Sequence, residues 1–464
     1  MPIFLFLPMI FSQTLLSGPG FTTPKISVSD PLEFPANRAE PLSNIGSDVS
    51  VFNGKITAFA AALDPENRIL VALATPESLL HIYSSLDTGT TWHQEFSLVL
   101  NSAPSRLEMA SGKGDSSYIF VFYLTPENSG DLYLLRISPD FTDWVEVPIA
   151  IGPDTVDDFS VALDREPRYY LYCLYTNEHA LGRNGRFTRS LDFGLTWEMP
   201  QDFYNCLDPY LSFGSGSILH CIWRFALNGR EIHYTQNRHF GAPARWDWLR
   251  VLSATSEKCY SPVVAQAETA PPYRAPIWAV WTIARRDTEM LDLVFSYSTD
   301  GGNTFSPMEN LGEMFVDEWW PAIVTSPSVS FLVYNSGGKE PNSPTVVYFR
   351  YSRPWTPNIW SSPVILNDAR ANALFESARP RVILPGILFS YYHPDFVSGI
   401  LFERLSLRPE PLPVIPFSDP FKKAAQKTNL IFDVTGRQVQ PSTTKPGVYF
   451  CYDKNHTQKL LIIK

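Results

Sequence analysis

Ser85-Leu86-Asp87-Thr88-Gly89-Thr90-Thr91-Trp92, Ser190-Leu191-Asp192-Phe193-Gly194-Leu195-Thr196-Trp197 and Ser298-Thr299-Asp300-Gly301-Gly302-Asn303-Thr304-Phe305 are three copies of one pattern, S-x-D-x-G-x-T-[WF]. The residue types are those of a turn. Asp and Ser accept or donate hydrogen bonds to turn backbone, Gly supplies a positive φ, and the closing aromatic plugs into a core. On this reading Asp87, Asp192 and Asp300 are structural and not catalytic. Weaker echoes stand at Ser138-Pro139-Asp140 with Trp144, Thr235-Gln236-Asn237 with Trp246, and Ser352 with Trp360. The closing aromatics therefore fall at 92, 144, 197, 246, 305 and 360. That is a period of about 50 residues, the length of one blade of a radial repeat.

Within each period the reading is the same: an alternating inner strand, a strongly apolar second strand, a third strand, then the turn and a fourth strand opened by the aromatic. The second strands are expected at Ile69–Thr75, Tyr118–Thr125, Tyr169–Tyr175, Ile218–Trp223, Ile277–Thr282 and Val329–Tyr334, short runs rich in β-branched and aromatic residues. A further strand set without a turn motif lies at Ala378–Leu384, Ile387–Tyr392 and Val397–Leu405. The expectation is an all-β chain with a single β-propeller of six or seven four-stranded blades, seven favoured. The seventh would be completed by an N-terminal strand near residues 25–52, which removes exposed sheet edges.

Composition agrees. Of 464 residues 14% are aromatic and only 18% charged, and 40 Pro outnumber 25 Gly, which suits short strands and fixed turns. The net charge of −10 argues against nucleic acid or an anionic lipid surface as partner, because both need a basic footprint. Residues 3–11 form a short apolar stretch followed by Ser17-Gly18-Pro19-Gly20, so residues 1–20 read as a signal peptide, too short for a membrane span. Nothing else in the chain is apolar enough to be a transmembrane segment. The five cysteines show no zinc spacing, and the histidines form no H-E-x-x-H, so neither a metal nor a cofactor is implied. Cys206 and Cys259 open neighbouring repeats; an inter-blade disulfide and buried free thiols are both open readings.

The three motifs resemble the Asp-box of sialidases, of some other glycoside hydrolases and of non-catalytic exported propellers. The resemblance covers roughly residues 50–405 and implies the propeller within a domain of 21–408. Sialidases of this kind carry an early Arg-Ile-Pro and two further arginines that clamp a carboxylate. Here the region before the first box holds only Arg38-Ala39-Glu40-Pro41 and Arg68-Ile69-Leu70, so the clamp is incomplete. The end of the chain resembles a second family. Residues 429–464 contain Asp433-Val434-Thr435-Gly436-Arg437, then Gly447-Val448-Tyr449, then an apolar run flanked by Lys459 and Lys464, and look like a type IX secretion sorting domain. This implies export to the outside of a bacterial cell, secreted or held at the outer membrane, with the type IX machinery as a partner. Residues 409–428, Pro-rich at their start, read as a linker.

The face opposite the box turns is built by the starts of the inner strands and by the loops joining second to third strands. Those positions hold Asp157, Asp158, Asp208, Glu257, Asp317, Glu318, Trp319, Trp320, Glu376 and Arg379, with Asn177, Glu178, His179, Arg183, Arg224, Arg285, Arg286 and Asp287 in the loops. Several carboxylates would converge on one mouth, with Trp319 and Trp320 available to stack on a sugar ring or a peptide side chain, and paired carboxylates are what glycoside hydrolysis uses. The binding candidates are Asp157, Asp158, Asp208, Asp317, Glu318, Trp320, Glu376 and Arg379; Trp319 and Trp320 alternate across a strand, so one belongs to the core. The leading expectation is an exported propeller that binds a glycan or a cell-surface protein. The alternatives are an exo-acting glycoside hydrolase of sialidase type, which three convergent arginines would favour, and a structural surface or adhesion component.

Overall fold

A computed structural model describes residues 49–365, apart from residues 65, 67 and 88 and the short segments 113–116, 127–129, 153–154, 165–167, 180–181, 254–255, 269–273, 287–289, 313–315, 328 and 338–344. Beyond 365 it describes strand backbone only, within 381–404 and 431–462. No α-helix occurs among the described residues.

Seven antiparallel sheets account for residues 49–404. Their inner strands are Ala58–Leu63, Arg106–Ser111, Thr155–Leu163, Cys206–Phe213, Lys258–Gln266, Asp317–Thr325 and Arg381–Leu384, which number blades 1 to 7. In blades 1 to 6 the chain runs outward through successive hairpins, and blade 6 adds the short piece Val364–Ile365. The second strands are apolar on both faces because neighbouring blades cover both. In Ile69–Ala74 and Ile119–Leu124 every residue is buried. Blade 7 supplies only three strands of its own, Arg381–Leu384, Ile387–Tyr392 and Gly399–Arg404. Its outer strand is Val49–Asn53, antiparallel to Gly399–Arg404 with Val49 opposite Phe402. The inner strand of blade 7 lies against those of blades 6 and 1, so the ring closes as a seven-bladed β-propeller.

The box turns form as their residue types require. Ser85 Oγ donates to Asp87 Oδ1 at 2.8 Å and accepts the Gly89 N–H at 2.8 Å. Asp87 also accepts the Thr91 N–H at 2.9 Å and the Thr91 hydroxyl at 2.7 Å. The same four bonds recur at Ser190-Asp192-Gly194-Thr196 and at Ser298-Asp300-Gly302-Thr304.

The closing aromatic does something the repeat alone does not predict. It packs across the seam onto the preceding blade, not into the core of its own. Trp197 of blade 3 meets Phe122 of blade 2 edge-on at 6.1 Å, and Phe305 of blade 5 meets Tyr234 of blade 4 at 4.9 Å. Trp246 stands against Phe187 and Phe203, and Trp360 against Trp278 and Phe295, in the same sense. Trp92 joins the cluster that holds Val51 of the N-terminal strand. The box glycines share this task. A Cβ on Gly194 (φ 85°) would stand 2.3 Å from Leu134 of blade 2, and one on Gly302 (φ 84°) 2.8 Å from the Tyr234 hydroxyl of blade 4. Glycine is thus needed for the turn and for close docking of blade on blade. Trp144 is the exception. Its side chain is half exposed and begins the outer strand Trp144–Ala150.

Cys173, Cys206, Cys221 and Cys259 are buried free thiols. The disulfide reading for Cys206 and Cys259 is therefore set aside. The Cys259 thiol faces the Arg230 carbonyl at 3.1 Å.

Farther along the chain, Gln438–Val439, Ile431–Asp433, Gly447–Asp453 and His456–Ile462 form a four-stranded sheet in that order. Asp433 stands opposite Tyr449 in the ladder, and Gly447 opposite Ile462. Gly436 and Arg437 lie outside the described residues, as do 1–20 and 409–428.

Candidate functional site

The inner strands of blades 4, 5 and 6 share one irregularity near their starts. In each, a residue followed by proline bulges out, so that two residues oppose one on the second strand. Asp208-Pro209 lie opposite Trp223, Ser261-Pro262 opposite Trp281, and Trp320-Pro321 opposite Tyr334. Proline has no N–H for the ladder, which makes the bulge its natural place in an interior strand. The residue before each proline is held in the left-handed region, with φ of 48° at Asp208, 46° at Ser261 and 51° at Trp320. This conformation costs a non-glycine residue about 1–3 kcal/mol. Blade 3 carries a related bulge, in which Asp157 is the extra residue between Val156 and Asp158.

The bulges surround one pocket of about 100 Å³ in the ring of inner strands. Asp208, Tyr210, Ser261 and Trp320 line it from blades 4 to 6, Asp158 from blade 3, and Arg106 and Glu108 from blade 2. Bulges re-aim side chains beside functional sites. Here the three bulged residues Asp208, Ser261 and Trp320 all border the same space.

Every carboxylate among the described lining residues is held. Arg106 pairs with Asp158 through Nη1 and donates from Nη2 to Glu108 Oε1 at 3.1 Å, with its guanidinium over the Phe159 ring. Glu108 Oε2 accepts the Val161 N–H of blade 3 at 3.1 Å. Asp208 receives both Nε (2.9 Å) and Nη2 (3.2 Å) of Arg224 and also the Ser261 N–H of blade 5 at 3.1 Å. These carboxylates fix neighbouring blades to one another and are themselves oriented by paired guanidinium.

The sequence candidates separate accordingly. Asp158, Asp208 and Trp320 come together in the pocket. Asp157 sits aside from it, accepting from the Thr176 hydroxyl and pairing with Arg183 at 3.1 Å. Asp317 and Glu318 are buried and accept the Leu291 and Leu293 N–H groups of blade 5, at 2.7 and 3.4 Å. They clasp a seam and do not line the pocket. Trp319 is the buried member of its pair. Glu376 and Arg379 lie outside the described residues. Arg106, Glu108, Tyr210 and Ser261 are the additions. Among the described residues no group of three or more His, Cys, Asp and Glu is placed to hold a metal ion, and no helix is long and apolar enough to cross a membrane.

The sequence matches no family model and no curated protein. Among solved structures the chain is similar to an ulvan lyase, a polysaccharide lyase, at a TM-score of 0.50 and 10% identity, over 77% of this chain and 96% of that one. It is also similar to the α-L-arabinofuranosidase Arb93A of Fusarium graminearum, at 0.46 and 12%, over 66% and 98%. A third is the lectin of Aleuria aurantia, at 0.43 and 10%, over 69% and 98%. At these identities the likeness to the lyase bears on fold alone.

Proposed function

We propose that this chain is an exported β-propeller that binds a glycan in the pocket within its ring of inner strands. One observation carries the reading: three successive inner strands hold a non-glycine residue in a strained left-handed bulge, and all three residues line the same pocket. Folding alone would favour glycine at such positions, so the strain is explained by what Asp208, Ser261 and Trp320 present to a ligand. An indole offers a stacking face for a sugar ring, while carboxylate and hydroxyl groups accept and donate to its hydroxyls. Structures similar in fold include a polysaccharide lyase, a glycosidase and a lectin.

The sialidase-type alternative needs arginines free to clamp a carboxylate. Arg106, Arg183, Arg224 and Arg285 are instead each paired with a carboxylate of the protein. Binding without turnover is the better reading. Export to a bacterial cell surface is supported by the apolar stretch at 3–11 and by the sorting-domain resemblance of 429–464, whose strands pair with one another in a sheet.

The test is a glycan array probed with the purified protein and its Trp320→Ala variant, with a fluorogenic sialoside assayed alongside. The expected result is binding to a subset of glycans that falls at least about tenfold in the variant, as loss of one stacking contact allows, and no sialoside turnover. Binding that survives Trp320→Ala unchanged would remove the pocket as the site, and turnover would restore the hydrolase.

A further inference from the structure

The charge of the pocket goes further than its shape and, resting on the glycan-binding reading, says which glycans it takes. We infer that the pocket is built for an uncharged sugar and turns acidic sugars away. Among the described residues three carboxylates line it, Glu108, Asp158 and Asp208, against one lining guanidinium, Arg106, with Arg224 held behind Asp208. Within this set the arginines are outnumbered three to two.

Among the described lining residues Arg106 is the cation that a sialic acid or uronate carboxylate would have to recruit. It is buried and engaged twice over, by Asp158 and by Glu108. An acidic ligand would have to displace one of these carboxylates, leaving it partly buried without its counter-ion, while lying beside the others. Breaking such a pair is strongly unfavourable, and like charges brought close in a partly desolvated site repel. The Arg224 guanidinium offers no alternative, because its fork is closed on Asp208 by two hydrogen bonds. A neutral ring meets none of these penalties. Its hydroxyls can donate to carboxylate oxygens that keep their guanidinium partners, and its apolar face can rest on Trp320.

The experiment compares neutral glycans with sialylated and uronate-containing ones on the same array, using the full chain, Trp320→Ala and the double variant Glu108→Gln, Asp158→Asn, each checked for a native melting transition. Neutral glycans should be bound at least about tenfold more tightly than acidic ones. The double variant, which releases the Arg106 guanidinium, should narrow or reverse that preference. If acidic glycans are preferred and their binding is lost in Trp320→Ala, the charge argument is wrong while the pocket remains a glycan site. If Trp320→Ala leaves all glycan binding unchanged, the pocket is not the site and both readings fall. A double variant with unaltered preference would also overturn the role given to Arg106.

Discussion

At the scale of single residues, the box aspartates show how an acid that recurs along the chain is engaged by its own turn. Asp87 has its carboxyl drawn down to about 2 by the Thr91 N–H and then by the Thr91 hydroxyl, both of which bond the carboxylate more strongly than the neutral acid. At Asp192 partial burial pushes upward, but the bonds from Thr196 and Ser190 outweigh it and the carboxyl is again low. A carboxylate held below its unfolded value stabilises the fold fully above about pH 4, and that stabilisation is lost as pH falls toward 2. Asp87→Asn keeps one acceptor oxygen and loses the ionic one. It should lower the melting temperature at pH 7, and the gap from the parent should close between pH 4 and pH 2, as followed by circular dichroism melts. A gap that persists at pH 2 would mean that the side chain acts through shape and not through charge. The turn is legible in sequence because all of its hydrogen-bond partners lie within eight residues. The destination of its aromatic is not, because the wall that receives it belongs to the preceding blade and lies about 50 residues or more away in the chain.

At the scale of elements, the inner strands combine regular pairing with a shared fault. Asp208-Pro209, Ser261-Pro262 and Trp320-Pro321 are visible in sequence as X-Pro pairs near the start of each inner strand, each answered by an aromatic on the second strand. Read as a run, the pairs are a legible signal of a bulge. Read residue by residue, they favour charged positions, which is how Asp317 and Glu318 enter the candidate set while Ser261 and Tyr210 do not. Arg106 and Glu108 lie on Arg106–Ser111, which has no proline within it, and alternation alone does not separate a channel-facing acid from a solvated one. The strain also makes a prediction. Ser261→Gly relieves a left-handed serine, so it should leave stability unchanged or raise it by up to about 1 kcal/mol, whereas Ser261→Val places a β-branched residue there and should cost about 2 kcal/mol. Chemical denaturation of both variants reads this directly. Weaker glycan binding in Ser261→Gly together with equal or greater stability would be the signature of strain kept for function. A Ser261→Val protein as stable as the parent would show that the bulge is not strained.

At the scale of the molecule, the ring depends on a strand that comes from far away in the chain. Val49–Asn53 completes blade 7 against Gly399–Arg404, joining positions some 350 residues apart. Every other blade is built from consecutive hairpins and forms through local contacts. Blade 7 is therefore the one whose completion closes the ring, and without its outer strand Gly399–Arg404 presents an unpaired edge. The C-terminal sheet differs, because its four strands pair only with one another among the described residues. Two truncations should then behave in opposite ways. Removing residues 1–54 should lower the melting temperature, broaden the transition and promote association through the exposed edge. Removing 429–464 should leave the propeller transition close to that of the full chain, while abolishing delivery to the cell surface in a type IX-competent host. Calorimetry with size-exclusion chromatography, and cell fractionation for the second protein, separate these outcomes. If loss of 1–54 left the transition sharp and unshifted, the closure would contribute little, and the six other blades would have to hold the ring through their seams alone. That would place the weight on Trp197, Trp246, Phe305 and Trp360, the aromatics that cross between the remaining blades.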